Sequence, residues 1–538
     1  MIRKMLRHLS GTPSQRTPLR SKTPQVRNSA GGYVWKADPW GRLDRFLILG
    51  SSEGSYYARG RELTLDNAAV ILQLLTLDGV RVVDRIVEIS TTGRAPKNDP
   101  AIFAPAIALK RGDLATRRAA SAAVGKVCRI GTHLFQLAAA VDALGGWGRG
   151  TQRAFSRWYT ERSHGEVAYQ ALKYAQREGW SHRDVLRKAH TKPPDAGYDA
   201  LFRWITRGWD EAGDALVDVD GGLRIAAAQE LRGTQDVDKA VDLIQSWRLP
   251  REVVPTELLR EPDIWRALLY GGGKPMPMTA MLRNLATMTR IGVLAPMSAE
   301  SRYVADRLAD GETLRKARIH PLAVLVAMET YKSGRSVRGS ATWSPDRRIV
   351  DALDAAFYAS FGNVRSTGKR WLLALDVSGS MSGPVIAGMP GITPRVASAA
   401  MAMVTARSES DYETVAFSTT LKRMTVSPRQ RLDTVLRTVD RLPMGGTDCA
   451  QPMVWAEKHK VPVDAFVVYT DSETWHGRLH PAAALRSYRR AMGIDAKLIV
   501  VGMVSNGFTI ADPDDTGMLD VVGFDLAAPN VMADFVSR

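Results

Sequence analysis

The apolar run Trp371-Leu-Leu-Ala-Leu375 ends in Asp376-Val-Ser378-Gly-Ser380, and this junction constrains the fold more than any other stretch of the chain. A short buried strand delivers a carboxylate and two hydroxyls, at alternate positions, onto one loop. Oxygen donors without sulfur or imidazole suit a hard divalent cation. A capped turn that holds no metal is the alternative reading of the same residues.

Two further pieces lie downstream: Gly445-Gly446-Thr447-Asp448, and a second apolar run, Phe466-Val-Val-Tyr-Thr470, that ends in Asp471. Beyond residue 368, strand candidates at 371–375, 414–417, 465–470 and 497–504 alternate with helical segments at 394–407, 429–441, 450–458 and 481–491. That alternation predicts a parallel sheet covered on both faces. Asp376, Ser378, Ser380, Thr447 and Asp471 then fall on loops at the carboxyl ends of strands, where open α/β sheets place ligands. The order DxSxS, Thr, Asp resembles the metal-ion-dependent adhesion site of von Willebrand A domains. The resemblance implies a divalent cation, Mg²⁺, held by those five residues.

Charge divides the 538 residues in the same place. From Lys369 onward 18 Lys/Arg balance 18 Asp/Glu, so the net +17 is carried by the residues before it. A basic surface of that size implies a polyanion, either nucleic acid or an acidic membrane. No apolar run approaches the length of a bilayer span. Cys128 and Cys449 cannot build a disulfide framework and fit a reducing cytoplasm.

Residues 1–30 hold Arg3, Lys4, Arg7, Arg16, Arg20, Lys22 and Arg27 with no acid, and prolines at 13, 18 and 24. With few large apolar residues the segment is expected to stay disordered. An RNA-touching arm and a plain disordered leader both fit, and a transit peptide is a third reading.

From about 64 to 330 the pattern is helical. Leu65–Leu75, Leu114–Val127 and Thr132–Val141 are separated by turns at Gly79, Gly112 and Gly131. Further helices are predicted over 165–176, 182–190, 197–207, 238–246, 278–289 and 314–330, and 332–348 reads as a linker. Paired helices at this spacing suggest a stacked solenoid of the HEAT type, with an irregular helical domain as the alternative. Overall the chain reads as α plus α/β.

Lys173–Lys192 is the most basic helical stretch, with six Lys/Arg and two His against two acids. Ser181 and Asp184 read as a helix N-cap with an acidic first turn. Val185, Leu186 and Ala189 then share one face, while Arg183, Arg187 and His190 share another. Lys173 and Arg177 are expected to form a second basic edge on the preceding helix. Two such edges around a Gly-Trp turn suit the phosphates of a double-stranded RNA. A solvated helix face is the alternative, and core or capping roles are expected for His133 and His182.

Gly31-Gly32-Tyr33-Val34-Trp35, Arg45-Phe46-Leu47, Cys128-Arg129-Ile130 with Thr132-His133-Leu134-Phe135, and Gly179-Trp180-Ser181-His182 resemble the TROVE module. So do Lys316–Pro321 and Ala355–Tyr358, while Gly445–Cys449 and Ser505–Asp515 resemble the domain that follows it. In this order, from about residue 31 to the C-terminus, they resemble the Ro ribonucleoprotein autoantigen family, and alanine- and arginine-rich usage points to a bacterial member. The resemblance implies a ring-shaped HEAT-like domain over 31–367, followed by a doubly wound von Willebrand A domain over 368–538. It also implies small noncoding Y RNA on the outer basic surface, and ends of misfolded or structured RNA in the hole. The family's outer-surface contacts fall on Lys173, Arg177 and His190. For a bacterial member the resemblance implies coupling to a 3′-to-5′ exoribonuclease such as polynucleotide phosphorylase.

Three functional classes follow. A noncatalytic RNA-binding protein of RNA quality control or degradation leads. A metal-dependent nuclease or phosphatase would use the cation to activate water, although two acids and no evident general base serve it poorly. A protein-adhesion module would let the cation take an acidic residue from a partner.

Overall fold

The computed structural model describes residues 14–50, 60–336, 340–362, 364–383, 386 and 392–538. They form two compact units. One gathers the described residues through Val70, Arg94–Pro96 and Phe361–Arg538; the other holds Ile71–Gly93 and Lys97–Ser360. In chain order the strands are β1 (Val26–Arg27), β2 (Tyr33–Lys36), β3 (Gln176–Arg177), β4 (Trp180–Ser181), β5 (Trp371–Asp376), β6 (Tyr412–Phe417), β7 (Leu421–Met424), β8 (Ala465–Thr470), β9 (Lys497–Gly502), β10 (Phe508–Thr509) and β11 (Met518–Val522). Among the described residues no helix is long and apolar enough to cross a membrane.

The first unit is built on a six-stranded sheet in the order β11-β9-β8-β5-β6-β7. Every residue of β5 and β8 is buried, as expected for central strands covered on both faces, and each large apolar side chain so placed contributes about 1.5–3 kcal/mol. The sheet is mixed, which corrects the expectation of parallel strands alone: β7 runs antiparallel to β6 from Phe417↔Leu421. Leu421-Lys-Arg-Met424 has no fully buried residue and lacks the apolar pattern of the central strands. The chain lays β6 and β7 on one side of β5, then crosses to place β8, β9 and β11 on the other. The gap between the ends of β5 and β8 is therefore the point where strand order reverses.

The N-terminal residues differ most from expectation. Residues 1–13 of the predicted disordered arm lie outside the described residues, but Ser14–Ala30 follows a defined path in the sheet unit. Gln15 and Asn28 are 0 % and 4 % exposed. β2 pairs with β1 and also with β10, and the helix Pro39–Leu49 packs beside β11. There Arg45, 1 % exposed, donates to Asp520 at 2.5 and 2.6 Å and to the Phe508 carbonyl at 2.6 Å. A boundary at residue 31 thus does not separate the two units. Polar anchors, which a composition argument does not weigh, hold this segment in place.

In the second unit helices start where side chains cap them. Asp113 accepts from Thr116 N at 2.8 Å, Ser163 and Glu166 form a capping box, and Asp195 accepts from Tyr198 N at 3.0 Å. Asp99–Arg111 packs against both Leu114–Val127 and Gly131–Ala143, and Arg347–Ala359 packs against Ala299–Ala309 and Pro321–Lys332. The predicted helix over 314–330 is broken, ending at Lys316 and restarting at Pro321 behind a His320 cap. The expected turn at Gly79 is instead a kink at Asp78 (φ −157°, ψ 80°) within Gly60–Thr92.

Candidate metal centre and nucleic-acid interface

The loop after β5 and the loop after β8 meet at the strand-order reversal. Asp376, Ser378, Ser380, Thr447 and Asp471 are all buried, none more than 2 % exposed. Asp376 Oδ1 accepts from its own loop at Ser378 N, 2.9 Å, and Oδ2 accepts from Thr470 Oγ1 at 2.7 Å. The Ser378 and Ser380 hydroxyls stand 3.2 Å apart, and Ser380 also hydrogen-bonds Asp471. Asp471 Oδ1 accepts from Glu473 N at 2.9 Å. Gly379 N donates to Gly445 O at 3.3 Å, which ties the DxSxS loop to the loop bearing Thr447.

This cluster is electrostatically uncomfortable as it stands. Burial, and then the charge of Asp471, push the Asp376 carboxyl up to about 7, while burial raises Asp471 as well. Glu473 is pushed up to about 8 by burial and by Asp471. The Thr447 hydroxyl is buried without a hydrogen-bond partner, an arrangement that costs free energy unless something else meets it. Two buried carboxylates and an orphaned hydroxyl beside them fit a small hard cation. Among the described residues no cluster of three or more His, Cys, Asp or Glu is placed to hold a metal ion. The donor set is therefore rich in hydroxyls.

Thr470, Glu473, Gln15 and Asn28 escaped sequence reasoning. Thr470 could have been read from its place at the end of a buried strand, and Glu473 from its closeness to Asp471. Nothing local marks Gln15 and Asn28.

The basic residues assemble differently from the predicted pair of helices. The helix His164–Lys173 ends at Lys173, so Arg177 is not its neighbour on a helix but lies in β3. Glu178 (φ 53°) and Gly179 (φ 75°) make the tight turn between β3 and β4, the backbone pattern of a two-residue hairpin. Lys173 Nζ donates to the Tyr169 hydroxyl at 3.2 Å and lies 5.4 and 5.6 Å from the rings of Tyr169 and Tyr174. Arg177 is exposed and pairs with Glu178 at 3.1 Å.

After β4, Ser181 and Asp184 form a capping box that starts the helix His182–Ala189. Val185, Leu186 and Ala189 are buried, while Arg183, Arg187 and Lys188 face solvent. His190 ends the helix in the left-handed region (φ 50°) and is exposed. A depression of about 550 Å³ is lined by Gly179, Trp180, Asp184, Arg187, Lys188 and His190. Trp180 stacks on Trp147 with ring centroids 5.6 Å apart. Arg187 and His190 thus meet at one depression; Lys173, Arg177 and Arg183 do not line it. His182 is buried, bonded to the Tyr159 hydroxyl at 2.9 Å. His133 lies 3.3 Å from Asn98 Nδ2. Burial lowers both imidazoles to about 4.

Comparison with known proteins covers nearly the whole chain. The TROVE domain model matches residues 26–212 and 244–369, and the Ro60 vWA domain model matches 370–536. The chain is 42 % identical over 515 residues to the RNA-binding protein RO60 of Deinococcus radiodurans, covering 95 % of each. It is 34 % identical over 589 residues to the RNA-binding protein RO60 of Caenorhabditis elegans, covering 96 % of this chain and 90 % of that one. The crystal structure of the Deinococcus radiodurans RO (RSR) protein superposes with a TM-score of 0.66 at 41 % identity, over 93 % of this chain and 99 % of that one.

Proposed function

The chain belongs to the Ro60 family of TROVE-domain proteins, and on that premise we propose that it is a noncatalytic RNA-binding protein acting as a ribonucleoprotein. It binds a small noncoding Y RNA on the basic surface around β3, β4 and the helix His182–Ala189. It also takes misfolded or structured RNA, and serves RNA quality control or degradation in the cytoplasm. The Y RNA links it to a 3′-to-5′ exoribonuclease such as polynucleotide phosphorylase.

One observation carries this reading: the exposed basic side chains of Arg187, Lys188 and His190 converge with Trp180 on one depression. The exposed Arg187 guanidinium and the Lys188 ammonium, the latter 3.9 Å from Asp142 Oδ1, can make charge-assisted bonds to phosphate oxygens, with Arg183, Arg177 and Lys173 extending the positive field. Sequencing the RNA that copurifies with the native protein tests the proposal. Enrichment of one small structured RNA supports it, and a profile indistinguishable from total RNA rejects it.

A second reading concerns the sheet unit and coexists with the first. Asp376, Ser378, Ser380, Thr447 and Asp471 would hold a divalent cation, Mg²⁺ in the first instance, supported by the unpartnered Thr447 hydroxyl. When bound, such a cation supplies an open position able to take a carboxylate from a partner protein. The chain's own residues would contribute two carboxylates and three neutral hydroxyls to holding the cation. Those five donors themselves leave no further base to activate water, so adhesion is favoured over hydrolysis.

A further inference from the structure

The N-terminal segment Ser14–Gly32 lies across the two loops that carry Thr447 and Asp471. Gln15 Nε2 donates to Asp448 Oδ1 at 2.6 Å and to the Leu479 carbonyl at 2.8 Å. Its Oε1 accepts from the Thr474 hydroxyl, which in turn accepts from Cys449 N at 3.2 Å. One fully buried side chain thereby bridges the residue after Thr447 and the third residue after Asp471. Asn28 Nδ2 donates to the carbonyls of Ser472 (3.2 Å) and Thr474 (2.8 Å), and its Oδ1 accepts from Gly32 N at 2.8 Å. Ala30 N donates to Glu473 Oε2 at 3.1 Å.

Steric and aromatic contacts reinforce these bonds. A Cβ on Gly32 would fall 1.8 Å from the Thr474 carbonyl oxygen, so only glycine fits there. The Arg16 guanidinium sits 4.8 Å from the centre of the Trp475 ring, and Trp475 N donates to Thr447 O at 3.1 Å. Ser472, directly after Asp471, has φ 61°. A non-glycine residue persists in that region where its surroundings over-determine it, and Asn28 holds its carbonyl.

We propose that Ser14–Gly32 is a strap that positions Thr447 and Asp471 for a divalent cation, with Gln15 and Asn28 as its positioning residues. The inference rests on the metal reading above. Small hard cations tolerate little error in ligand placement, and groups that orient the ligands typically change metal affinity about 10–100-fold when removed. Gln15 and Asn28 are hydrogen-bonded to none of the five donor side chains; Gln15 acts through the side chains of Asp448 and Thr474, and Asn28 through the backbone carbonyls of Ser472 and Thr474.

The test uses the full chain with Mn²⁺ as the probe, its affinity measured by titration calorimetry. Gln15→Ala and Asn28→Ala are compared with Thr23→Ala, which removes a strap contact to Asp514 distant in sequence from the two loops. Hydrogen exchange of amides 447–450 and 472–475 is followed in the metal-free protein. The expected result is a Mn²⁺ Kd raised about 10–100-fold in the first two variants and unchanged in Thr23→Ala, with faster exchange confined to the two loops. If wild type binds Mn²⁺ and both variants bind it equally well, the strap inference fails and the metal site stands. If wild type does not bind Mn²⁺, the metal reading falls and takes the strap with it. Exchange that accelerates equally across the whole sheet would mean a merely structural role and would also overturn the inference.

Discussion

The Thr470 hydroxyl donates to the Asp376 carboxylate across 2.7 Å, joining the ends of β5 and β8 where the order of the sheet reverses. That bond holds one Asp376 oxygen, and Ser378 N holds the other. The carboxylate is therefore fixed in orientation while burial and the charge of Asp471 still oppose its ionisation.

The sign of the consequence is definite. Asp376 has a raised carboxyl, about 7 in the fold against an ordinary value near 3.8. The folded state then binds more protons than the unfolded state between those values, so metal-free stability falls as pH rises from about 4 to 7. Asp376→Asn should be more stable than wild type at pH 8 without metal, by on the order of 1 kcal/mol. Urea unfolding at pH 8 and at pH 4 checks this; a variant less stable at both would contradict it.

Protons and the cation compete for the same oxygens. Mn²⁺ affinity should fall as pH drops below 7, by about tenfold per unit for one displaced proton. It should vanish in Asp376→Ala. Titration calorimetry from pH 8 to 5.5 reads both effects, and an affinity flat across that range would count against Asp376 as a ligand.

Chemistry at the site is expected to be absent. Purified protein incubated with Mg²⁺ and labelled single-stranded and structured RNAs should leave them intact. Cleavage that disappears in Asp376→Ala would promote the hydrolytic reading.

His182 predicts acid sensitivity of the helical unit. Its imidazole is held neutral by burial, down to about 4, so the unfolded state binds the extra proton between about 6.5 and 4. Stability should decline through that window as pH falls and level off below it. His182→Gln should flatten the acid limb of a Tm-against-pH curve, although it weakens the fold at pH 7 through the bond to Tyr159. An unchanged acid limb would show that other groups dominate.

Much of the sheet unit was legible because central strands advertise themselves. Trp371–Leu375 and Phe466–Thr470 are apolar runs, and their carboxyl ends carry the metal-site pattern. β7 was not legible, because an edge strand with no fully buried residue has no apolar run to read. The segment Ser14–Ala30 misled for a related reason. It has few large apolar residues, and Gln15 and Asn28 anchor it by bonding to residues more than 430 positions away. Arg177 left its predicted helix because Glu178-Gly179 supplies a hairpin turn, a local signal outweighed by the i, i+4 spacing from Lys173.

Binding of a duplex Y RNA stem across a salt series, for wild type and for Arg187→Ala/His190→Ala, tests the central claim most directly. Log affinity for wild type should fall linearly with log salt, by roughly 0.9 per neutralised phosphate if duplex RNA follows the DNA value. The double variant should bind tens-fold more weakly, since each charge-assisted bond contributes about 1.5–3 kcal/mol, with a shallower slope and an unchanged Tm. A salt-independent affinity, or a double variant that binds as wild type does, would contradict the assignment of this surface to RNA.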